Sequence, residues 1–344
     1  PENPVVNVPV TLTVGDAPVE PATVQRVYGA NRYATAAEIA AEFPEGVDTV
    51  YIANGTEAAE GADALAAGAA GAKGALEFIP DVTPEGDPAP ILLVKADAIP
   101  SATAAALAAL APSEIIVIGG TNSVSTGVEE TLGESADVRR IAGADRYETA
   151  ALIAAEYGSV DTVYVATGQG DISGGLALAD ALTAASVAGS QTSPVVLTKA
   201  DSLPSATAAV ITELAPANIV VVGGTGAISD AVLAELNALA PAERVSGADR
   251  YETAVALTAG YATDGDILYI ASGTSFPDAL AGSSLTGSQD APLLLSKADH
   301  LPSATAEEIL RLSPQGITIF GGTSAVDADV EAALQELLDI TSTD

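Results

Sequence analysis

Nine of the twelve basic residues in this 344-residue chain lie at three sets of equivalent positions. Each set has two arginines six residues apart, a tyrosine directly after the second, and a lysine in a later Lys-Ala-Asp sequence. The nine residues are Arg26, Arg32, Lys95, Arg140, Arg146, Lys199, Arg244, Arg250 and Lys297. Because guanidinium groups offer forked donors to phosphate or carboxylate, the pattern indicates a binding site for an anion or a polyol in each copy.

The same arginines can instead stabilise the fold by pairing with aspartates that recur as regularly. These aspartates are Asp63, Asp180 and Asp278, which begin Asp-Ala-Leu sequences, and Asp48, Asp161 and Asp266, which precede short apolar runs. Copies of a repeat share a fold before they share a site, so a structural role is favoured for any single arginine. The Asp-Ala-Leu set follows loops after strands, where parallel sheets form clefts. Its members are therefore candidates for cleft carboxylates as well as for structural partners.

Other side chains give little support to catalysis. His300 is the only histidine, and its equivalents are Ala98 and Ser202, so a loop or cap role is favoured over a triad or a metal site. The absence of Cys excludes disulfides and thiol chemistry. With 46 acidic residues, a pair of carboxylates says little about glycoside hydrolysis. We therefore expect a protein that is not an enzyme and has no cofactor.

Two loop patterns are similar to ligand sites without matching one. The Gly-Gly-Thr loops at Gly119, Gly223 and Gly321 follow strands, but they lack the GxGxxG pattern and the Walker lysine, so tight turns are favoured over nucleotide binding. Residues 263–266, Thr-Asp-Gly-Asp, could contact calcium, although a turn is favoured. No metal ligand is assigned, and a divalent cation such as calcium stays open.

The composition disfavours several classes of partner. The formal net charge of −34 gives a surface that repels nucleic acid and anionic membranes. The apolar stretches are broken well before the ~20 residues of a spanning helix, so we expect no membrane insertion. With no Trp, 4 Phe and 9 Tyr, few rings are available for stacking on sugars or bases. Because Met is absent, we expect a mature or trimmed fragment whose targeting signal has been removed.

The recurring landmarks divide the chain into three tandem repeats. The copies begin at Arg26, Arg140 and Arg244, which are 114 and 104 residues apart. The longer first copy has an insertion around residues 73–89 that is rich in turn-forming residues. We predict a Pro-rich leading segment or linker over residues 1–25, with an edge strand at residues 8–14. The predicted modules span residues 26–138, 139–243 and 244–344.

Within each copy, apolar strand-forming runs alternate with alanine-rich helical stretches. Residues 49–53 and 90–94 have the composition of buried strands, and residues 32–43 and 101–111 have that of helices. Ser125, Ser229 and Asp327 are predicted to cap the last helix of each copy. Because nearly continuous apolar strands are separated by helices, we predict an α/β fold of three tandem doubly wound modules with parallel sheets.

These ordered motifs resemble the type 2 cell-wall-binding repeat family. The resemblance rests on R-[IV]-x-G-x-[DN]-R-Y-x-T-A, A-x-G followed by D-A-L, P-x-L-L-x-K-A-D-x-L-P-x-x-T and V-x-G-G-T-x-x-[IV]-S, in three copies from residue 26 to about residue 340. Three residues depart from these motifs: Asn31 replaces Asp, Ile99 replaces Leu and Asp327 replaces the last Ser. The resemblance implies three modules associated within the chain as a pseudo-threefold unit. It also implies a secreted protein at the cell wall or surface, anchored non-covalently to an anionic wall glycopolymer. The nine recurring basic residues are the candidates for contacting that polymer.

Two other functions are compatible with the sequence. The repeats can act as a rigid spacer or surface-layer element without a dedicated ligand site, with the arginines only in salt bridges. A wall hydrolase is less favoured because neither His nor Cys recurs. A net charge of −34 also repels an anionic polymer, so polymer binding requires local positive clefts or bridging divalent cations.

Overall fold

The structure is a computed structural model that describes residues 22–44, 46–56, 65–72, 87–169, 178–263 and 265–341. Strands and helices alternate along these residues, and the strands form three parallel sheets of four strands each. The predicted α/β class with parallel sheets is confirmed. Three features named from the sequence lie outside the described residues: the edge strand at 8–14, most of the insertion at 73–89, and Asp63.

All three sheets have equivalent strand orders. The strands are β1 (Thr23–Val27), β2 (Thr49–Asn54), β3 (Ile91–Val94), β4 (Glu114–Ile118), β5 (Asp137–Ile141), β6 (Thr162–Thr167), β7 (Val195–Thr198), β8 (Asn218–Val222), β9 (Ala242–Val245), β10 (Ile267–Ser272), β11 (Leu293–Ser296) and β12 (Gly316–Phe320). Their spatial orders are β3-β2-β4-β5, β7-β6-β8-β9 and β11-β10-β12-β1. The first three strands of each order are almost wholly buried, which explains their continuous apolar sequences.

The sheets are offset from the sequence repeats by one strand. The strand that carries the first arginine of a repeat completes the sheet of the preceding repeat, so β5 pairs with β4 and β9 pairs with β8. The first repeat supplies β1 to the sheet of the third, where β1 pairs with β12. The described chain thus closes on itself, and residues 23–25 of the predicted leading segment belong to this strand. The module limits at 138/139 and 243/244 stay predictions, with a sheet extending across each.

Helices cover both faces of each sheet. They are α1 (Arg32–Ala40), α2 (Ala67–Ala72), α3 (Ser101–Leu110), α4 (Thr126–Leu132), α5 (Arg146–Ala155), α6 (Ala179–Ser190), α7 (Ser205–Leu214), α8 (Asp230–Asn237), α9 (Arg250–Leu257), α10 (Phe276–Ser288), α11 (Ser303–Leu312) and α12 (Ala328–Thr341). The chain runs from β2 through α2 to β3, and then returns past β2 to β4. Connections between parallel strands are almost always right-handed, and with this strand order that rule puts α2 on one face and α3 and α4 on the other, as in a doubly wound sheet.

The predicted N-caps of the last helix in each repeat are confirmed. Ser125 and Ser229 accept hydrogen bonds from the Val128 and Val232 amides, and Asp327 accepts one from Val330. These side chains satisfy backbone donors that have no partner inside the helix. Each cap lies a few residues after a Gly-Gly turn, so it fixes the direction in which the chain leaves that turn.

The centre of the molecule is formed by α2, α6 and α10, one helix from each repeat, which pack against one another. Small residues permit a close approach, because a Cβ on Gly189 would lie only 2.6 Å from the Ala72 Cβ. The Ser186 and Thr286 hydroxyls are hydrogen-bonded across this contact at 2.7 Å. Each of the three helices touches the other two, which is the arrangement expected of a pseudo-threefold unit.

Candidate functional site

The first arginine of each repeat lies on the last strand of a sheet and is held inside the protein. Arg140 Nη1 donates to the Gly119 carbonyl at 2.6 Å, and its Nη2 donates to Glu129 at 2.7 Å. The equivalent bonds join Arg26 to Gly321 and Glu331, and Arg244 to Gly223 and Asp230. The side chains of Arg26, Arg140 and Arg244 are only 8%, 14% and 15% exposed. These arginines connect an edge strand to the Gly-Gly turn and the following helix, and their acidic partners are not the aspartates considered from the sequence.

The second arginine of each repeat is the first residue of a helix and reaches the carboxyl end of a sheet. Arg146 Nη1 donates to the carbonyl of Gly168, directly after β6, at 2.8 Å. Arg32 and Arg250 make the same bond to Gly55 and Gly273, at 2.9 Å and 2.5 Å. All three arginines are half-buried, so this set is positioned by the fold and remains partly accessible to solvent.

The recurring lysine lies beside the tyrosine that follows this arginine. Lys199 Nζ is 5.6 Å from the centre of the Tyr147 ring, and Lys297 Nζ is 5.8 Å from that of Tyr251. At such distances a cation is attracted by the face of an aromatic ring. Both lysines directly follow the strands β7 and β11. Lys95 directly follows β3 and is exposed. The second arginine, the tyrosine and the lysine of each repeat therefore gather at the same edge of its sheet.

Arg250 also lines a cleft that includes residues of the preceding repeat. The cleft has a volume of about 300 Å³, and Asp180 and Gly224 from the second repeat line it together with Asp249 and Arg250 from the third. Gly223 has φ of +106°, and a Cβ at this position would lie 2.6 Å from Asp180 Oδ2. Only glycine suits this backbone conformation and leaves room for the carboxyl group. The Gly-Gly turn thus shapes the cleft around Asp180.

Burial changes the acid–base properties of the aspartates in these positions. It raises the pKa of Asp180 to about 6, and Arg250 opposes the shift. Asp180 Oδ1 is buried and has no hydrogen-bond partner within the described parts of the chain. Burial also raises the pKa of Asp278 to about 6, with Arg32 and a hydrogen bond to Thr35 opposing. Each carboxyl group therefore takes up its proton near pH 6 and then acquires a donor.

The aspartate and the arginine that it faces belong to neighbouring repeats. Asp180 of the second repeat faces Arg250 of the third, and Asp278 of the third faces Arg32 of the first. We call these places the 2–3 junction and the 3–1 junction. The equivalent 1–2 junction would bring together Asp63 and Arg146, but Asp63 lies outside the described residues. The junctions combine a partly accessible guanidinium with a carboxyl group whose charge is readily lost, which suits an anion that also carries hydroxyl groups.

A larger cavity, of about 510 Å³, lies at the opposite, amino ends of β10 and β11. Gln191, Tyr261, Gln289 and Asp290 are among the residues that line it. Over the part of the chain that the structure describes, its lining includes Asp266 and Asp290 but neither Lys nor Arg. The cleft at the 2–3 junction is therefore the better candidate for an anionic ligand.

The remaining features named from the sequence carry no further site. His300 lies in an exposed loop, with Nδ1 at 2.7 Å from Asp299. Among the described residues, no group of three or more His, Cys, Asp and Glu side chains is arranged to hold a metal ion. The loop considered for calcium includes residue 264, which is not among them. In those same residues, none of the helices combines the length and the apolar character needed to cross a membrane.

Comparison with protein families gives a match over most of the chain. The family described as Cell wall binding domain 2 matches residues 26–129, 140–233 and 244–331. N-acetylmuramoyl-L-alanine amidase LytC of Bacillus subtilis (strain 168) is 31% identical over 91% of this chain and 58% of the relative. The Amidase enhancer of the same organism is 29% identical over 72% of this chain and 33% of the relative. The chain thus spans between a third and three-fifths of the length of these relatives.

Solved structures with the same fold also extend beyond this chain. Cwp6 from Clostridium difficile has a TM-score of 0.80 and 26% identity, over 97% of this chain and 51% of its own. Cwp8 from the same organism has a TM-score of 0.78 over 92% of this chain and 52% of its own. At 23% identity, Cwp8 is evidence for the fold alone.

Proposed function

Because this chain belongs to the Cell wall binding domain 2 family, we propose that it anchors a surface protein non-covalently to the bacterial cell wall by binding an anionic secondary wall polymer. Membership of the family makes it a cell-wall-binding protein of the wall or cell surface. We further propose that the protein is secreted, that its ligand is a glycopolymer, and that its three modules associate within the chain in solution.

The arginine and aspartate that face each other at the 2–3 and 3–1 junctions are the observation that carries this proposal. Arg250 at the 2–3 junction and Arg32 at the 3–1 junction are partly accessible, and each faces an aspartate whose pKa is raised by burial. We assign the polymer contacts to Arg32, Arg146 and Arg250, with Lys95, Lys199 and Lys297 at the same strand ends. The first arginines, Arg26, Arg140 and Arg244, hold the Gly-Gly turns in place, and we assign them no contact with the polymer.

The net charge of −34 is compatible with this function only if the ligand interacts more strongly with the positive groups beside it than with the acidic surface as a whole. Salt at physiological strength screens exposed charges beyond ~8 Å, so a ligand in the cleft interacts mainly with the groups that line it. Divalent cations can also bridge acidic groups of the protein and the polymer. If calcium acts in this way, a chelator weakens wall binding, whereas direct contacts to the arginines are weakened by NaCl and not by the chelator.

Sedimentation with purified cell walls tests the proposal. The full chain is expected to sediment with intact walls, and to remain in solution when the secondary polymer has been chemically stripped from them. Arg250→Gln combined with Arg146→Gln is expected to reduce sedimentation. Arg250→Lys keeps the positive charge but lacks the forked donors of a guanidinium, so it shows which of the two the binding requires. Equal retention of the wild-type chain on intact and stripped walls would contradict polymer binding.

A structural spacer or surface-layer element is the second candidate. The pairing of β1 with β12 and the ion pairs of Arg26 and Arg140 favour it, because they require no ligand. Replacing Arg32, Arg146 and Arg250 together with Gln separates the two functions. A large fall in melting temperature with unchanged wall binding favours the spacer, and lost binding with a preserved melting temperature favours the site.

We do not assign hydrolysis of the cell wall to the repeats or to the clefts between them. The amidase named among the relatives extends well beyond the matched region, since this chain covers 58% of it. We propose that the repeats bind without cleaving. Incubating the chain with purified walls and measuring released reducing sugars and free amino groups tests this, and release above that of a heat-inactivated sample would overturn it.

A further inference from the structure

The three junctions differ in the first turn of the helix that begins with the second arginine. At the 3–1 junction the residues on either side of Arg32 and Tyr33 are Asn31 and Ala34. The other two repeats have Asp145 and Glu148, and Asp249 and Glu252, at these positions. The 3–1 junction therefore has two fewer acidic side chains in this turn than either of the others.

This loss of charge leaves the fold of the turn unchanged. The Asn31 Oδ1 accepts from the Tyr33 and Ala34 amides at 3.0 and 3.1 Å, as Asp249 accepts from Tyr251 and Glu252 in the third repeat. Asparagine thus caps α1 as aspartate caps α9, with no charge. The difference between the junctions is consequently electrostatic and not one of backbone shape.

The missing glutamate also changes which backbone donor is available. Glu252 Oε2 accepts from the Ala248 amide at 2.8 Å, and Glu148 Oε2 accepts from the Ala144 amide at 2.6 Å. Ala34 has no side-chain acceptor to offer the equivalent amide, that of the exposed Ala30. An anion bound next to Arg32 can therefore receive this N–H, which in the other repeats is engaged by a carboxylate.

A single aromatic side chain completes the asymmetry. Tyr28 is 56% exposed and lies beside the Gly-Gly turn of the third repeat, with its Cδ2 3.7 Å from where a Cβ of Gly322 would be. Its equivalents at the other junctions are Ala142 and Ser246. An exposed tyrosine ring presents an apolar face and a polar edge, a combination suited to the apolar face of a sugar ring. In a chain without Trp, such a ring at one junction is a specific feature.

We propose that the 3–1 junction is the primary ligand site, and that it binds one sugar unit bearing a phosphate or a carboxylate. Tyr28 stacks on the sugar, and Arg32 and the Ala30 amide bind the negative group. The 1–2 and 2–3 junctions, with their additional carboxylates, bind the same unit more weakly. This inference rests on the proposed function, because it ranks the three junctions as sites for one polymer.

A fluorescence titration tests the ranking without the polymer. Since the chain has no Trp, Tyr28→Trp and Ser246→Trp each introduce a single reporter at one junction. The probes are glucose 1-phosphate and glucuronate, with glucose as the uncharged control. The emission of the Tyr28→Trp variant is expected to respond at a charged-probe concentration about fivefold to tenfold lower than that of the Ser246→Trp variant, given two fewer like charges. Equal responses in the two variants, or a response to glucose as strong as to the charged sugars, would overturn the proposal.

Exchange of the distinguishing residues tests it on cell walls. One triple variant gives the 3–1 junction the residues of the third repeat: Tyr28→Ser, Asn31→Asp and Ala34→Glu. The third repeat already folds with these residues, so we expect the variant to fold. Ser246→Tyr, Asp249→Asn and Glu252→Ala make the reverse change. The first triple variant is expected to lose wall affinity by about fivefold or more, and the second to gain. If the wild-type chain binds walls and the first variant binds equally, the ranking is wrong and the proposed function stands. If the wild-type chain does not bind walls, the proposed function fails, and the titration alone decides whether the site takes a charged sugar.

Discussion

Replacing Asp180 with Asn tests whether the buried carboxyl group of the 2–3 junction destabilises the fold above pH 6. The group is largely buried, its Oδ1 has no hydrogen-bond partner among the described residues, and Arg250 offsets the loss of hydration only in part. A buried charge without full compensation favours the neutral form, and for this reason the pKa is raised. Asn has the shape of the protonated acid without its charge. The variant is therefore expected to fold and to be more stable than wild type at neutral pH.

The size of the effect follows from the pKa shift. Burial raises the pKa of Asp180 from 3.8 to about 6, roughly two units, and each unit corresponds to about 1.4 kcal/mol. The folded chain binds this proton more tightly than the unfolded chain, so the stability it contributes is present below about pH 4 and is lost as the pH rises through 6. Over that whole range the loss amounts to about 3 kcal/mol, and between pH 5 and pH 8 to about 1.5 kcal/mol.

Urea unfolding at pH 5 and pH 8 measures this difference, away from the isoelectric point near 4.1. The free energy of unfolding of Asp180→Asn, relative to wild type, is expected to rise by about 1 to 1.5 kcal/mol from pH 5 to pH 8. Glu213→Gln is the control, since it removes one negative charge from an exposed position on α7. A relative stability of Asp180→Asn that is constant with pH, or that changes equally in the control, would refute the assignment.

Four further predictions concern the junctions and the pairing of β1 with β12. Wall binding should strengthen from pH 8 to pH 5.5, because protonation of Asp180 and Asp278 removes charge from the clefts, and sedimentation of wild type against Asp180→Asn measures it. Gly223→Ala should destabilise the protein by roughly 1–3 kcal/mol because residue 223 has a positive φ. Gly224→Ala should change stability little, because nothing lies near its Cβ position. Equal urea midpoints for the two variants would contradict this prediction. Arg140→Ala should cost about 2–3 kcal/mol of stability, since it leaves a carbonyl and a carboxylate without their donor, yet the folded protein should still bind walls. Removal of residues 1–27 should lower the melting temperature by at least about 5 °C, because β12 loses its neighbour, and a synthetic peptide of residues 22–28 should restore part of it.

The elements that the sequence predicts well are those whose cause is local. The buried strands are predictable because β2, β3 and β4 are apolar almost without interruption, as burial on both faces demands. The caps at Ser125 and Ser229 are predictable because they depend on one side chain and the next turn of backbone. The three repeats, and with them the three equivalent sheets, follow from landmarks that recur in a fixed order.

The offset between repeats and sheets has no local cause, and sequence reasoning did not reveal it. Residues 23–27, Thr-Val-Gln-Arg-Val, form an edge strand whose polar residues interrupt the apolar pattern, so the run is a weak strand signal. Its partner β12 lies almost 300 residues away, and only the closure of the chain brings the two together. The sequence does contain a pattern that indicates this edge strand. The first arginine recurs in a short Val- or Ile-containing run before each Gly-Ala-Asp/Asn-Arg-Tyr sequence. The same closure explains why Arg32 faces Asp278, a pairing that spacing along the chain cannot indicate.

The offset has a consequence for how an acidic chain could hold a polyanion. An isolated repeat would have the arginine of one junction and the aspartate and Gly-Gly turn of the next, and so would lack one part of each cleft. On the proposed function, a complete site requires two assembled neighbouring repeats, as at the 2–3 and 3–1 junctions. Each of these junctions has few positive groups, so we expect it to hold a single sugar unit weakly. We expect a polymer that engages one junction to meet the next at a high effective concentration, so that weak contacts add up to firm attachment without any excess of positive charge. On this argument, unlinking the repeats should abolish wall binding even if each remained folded.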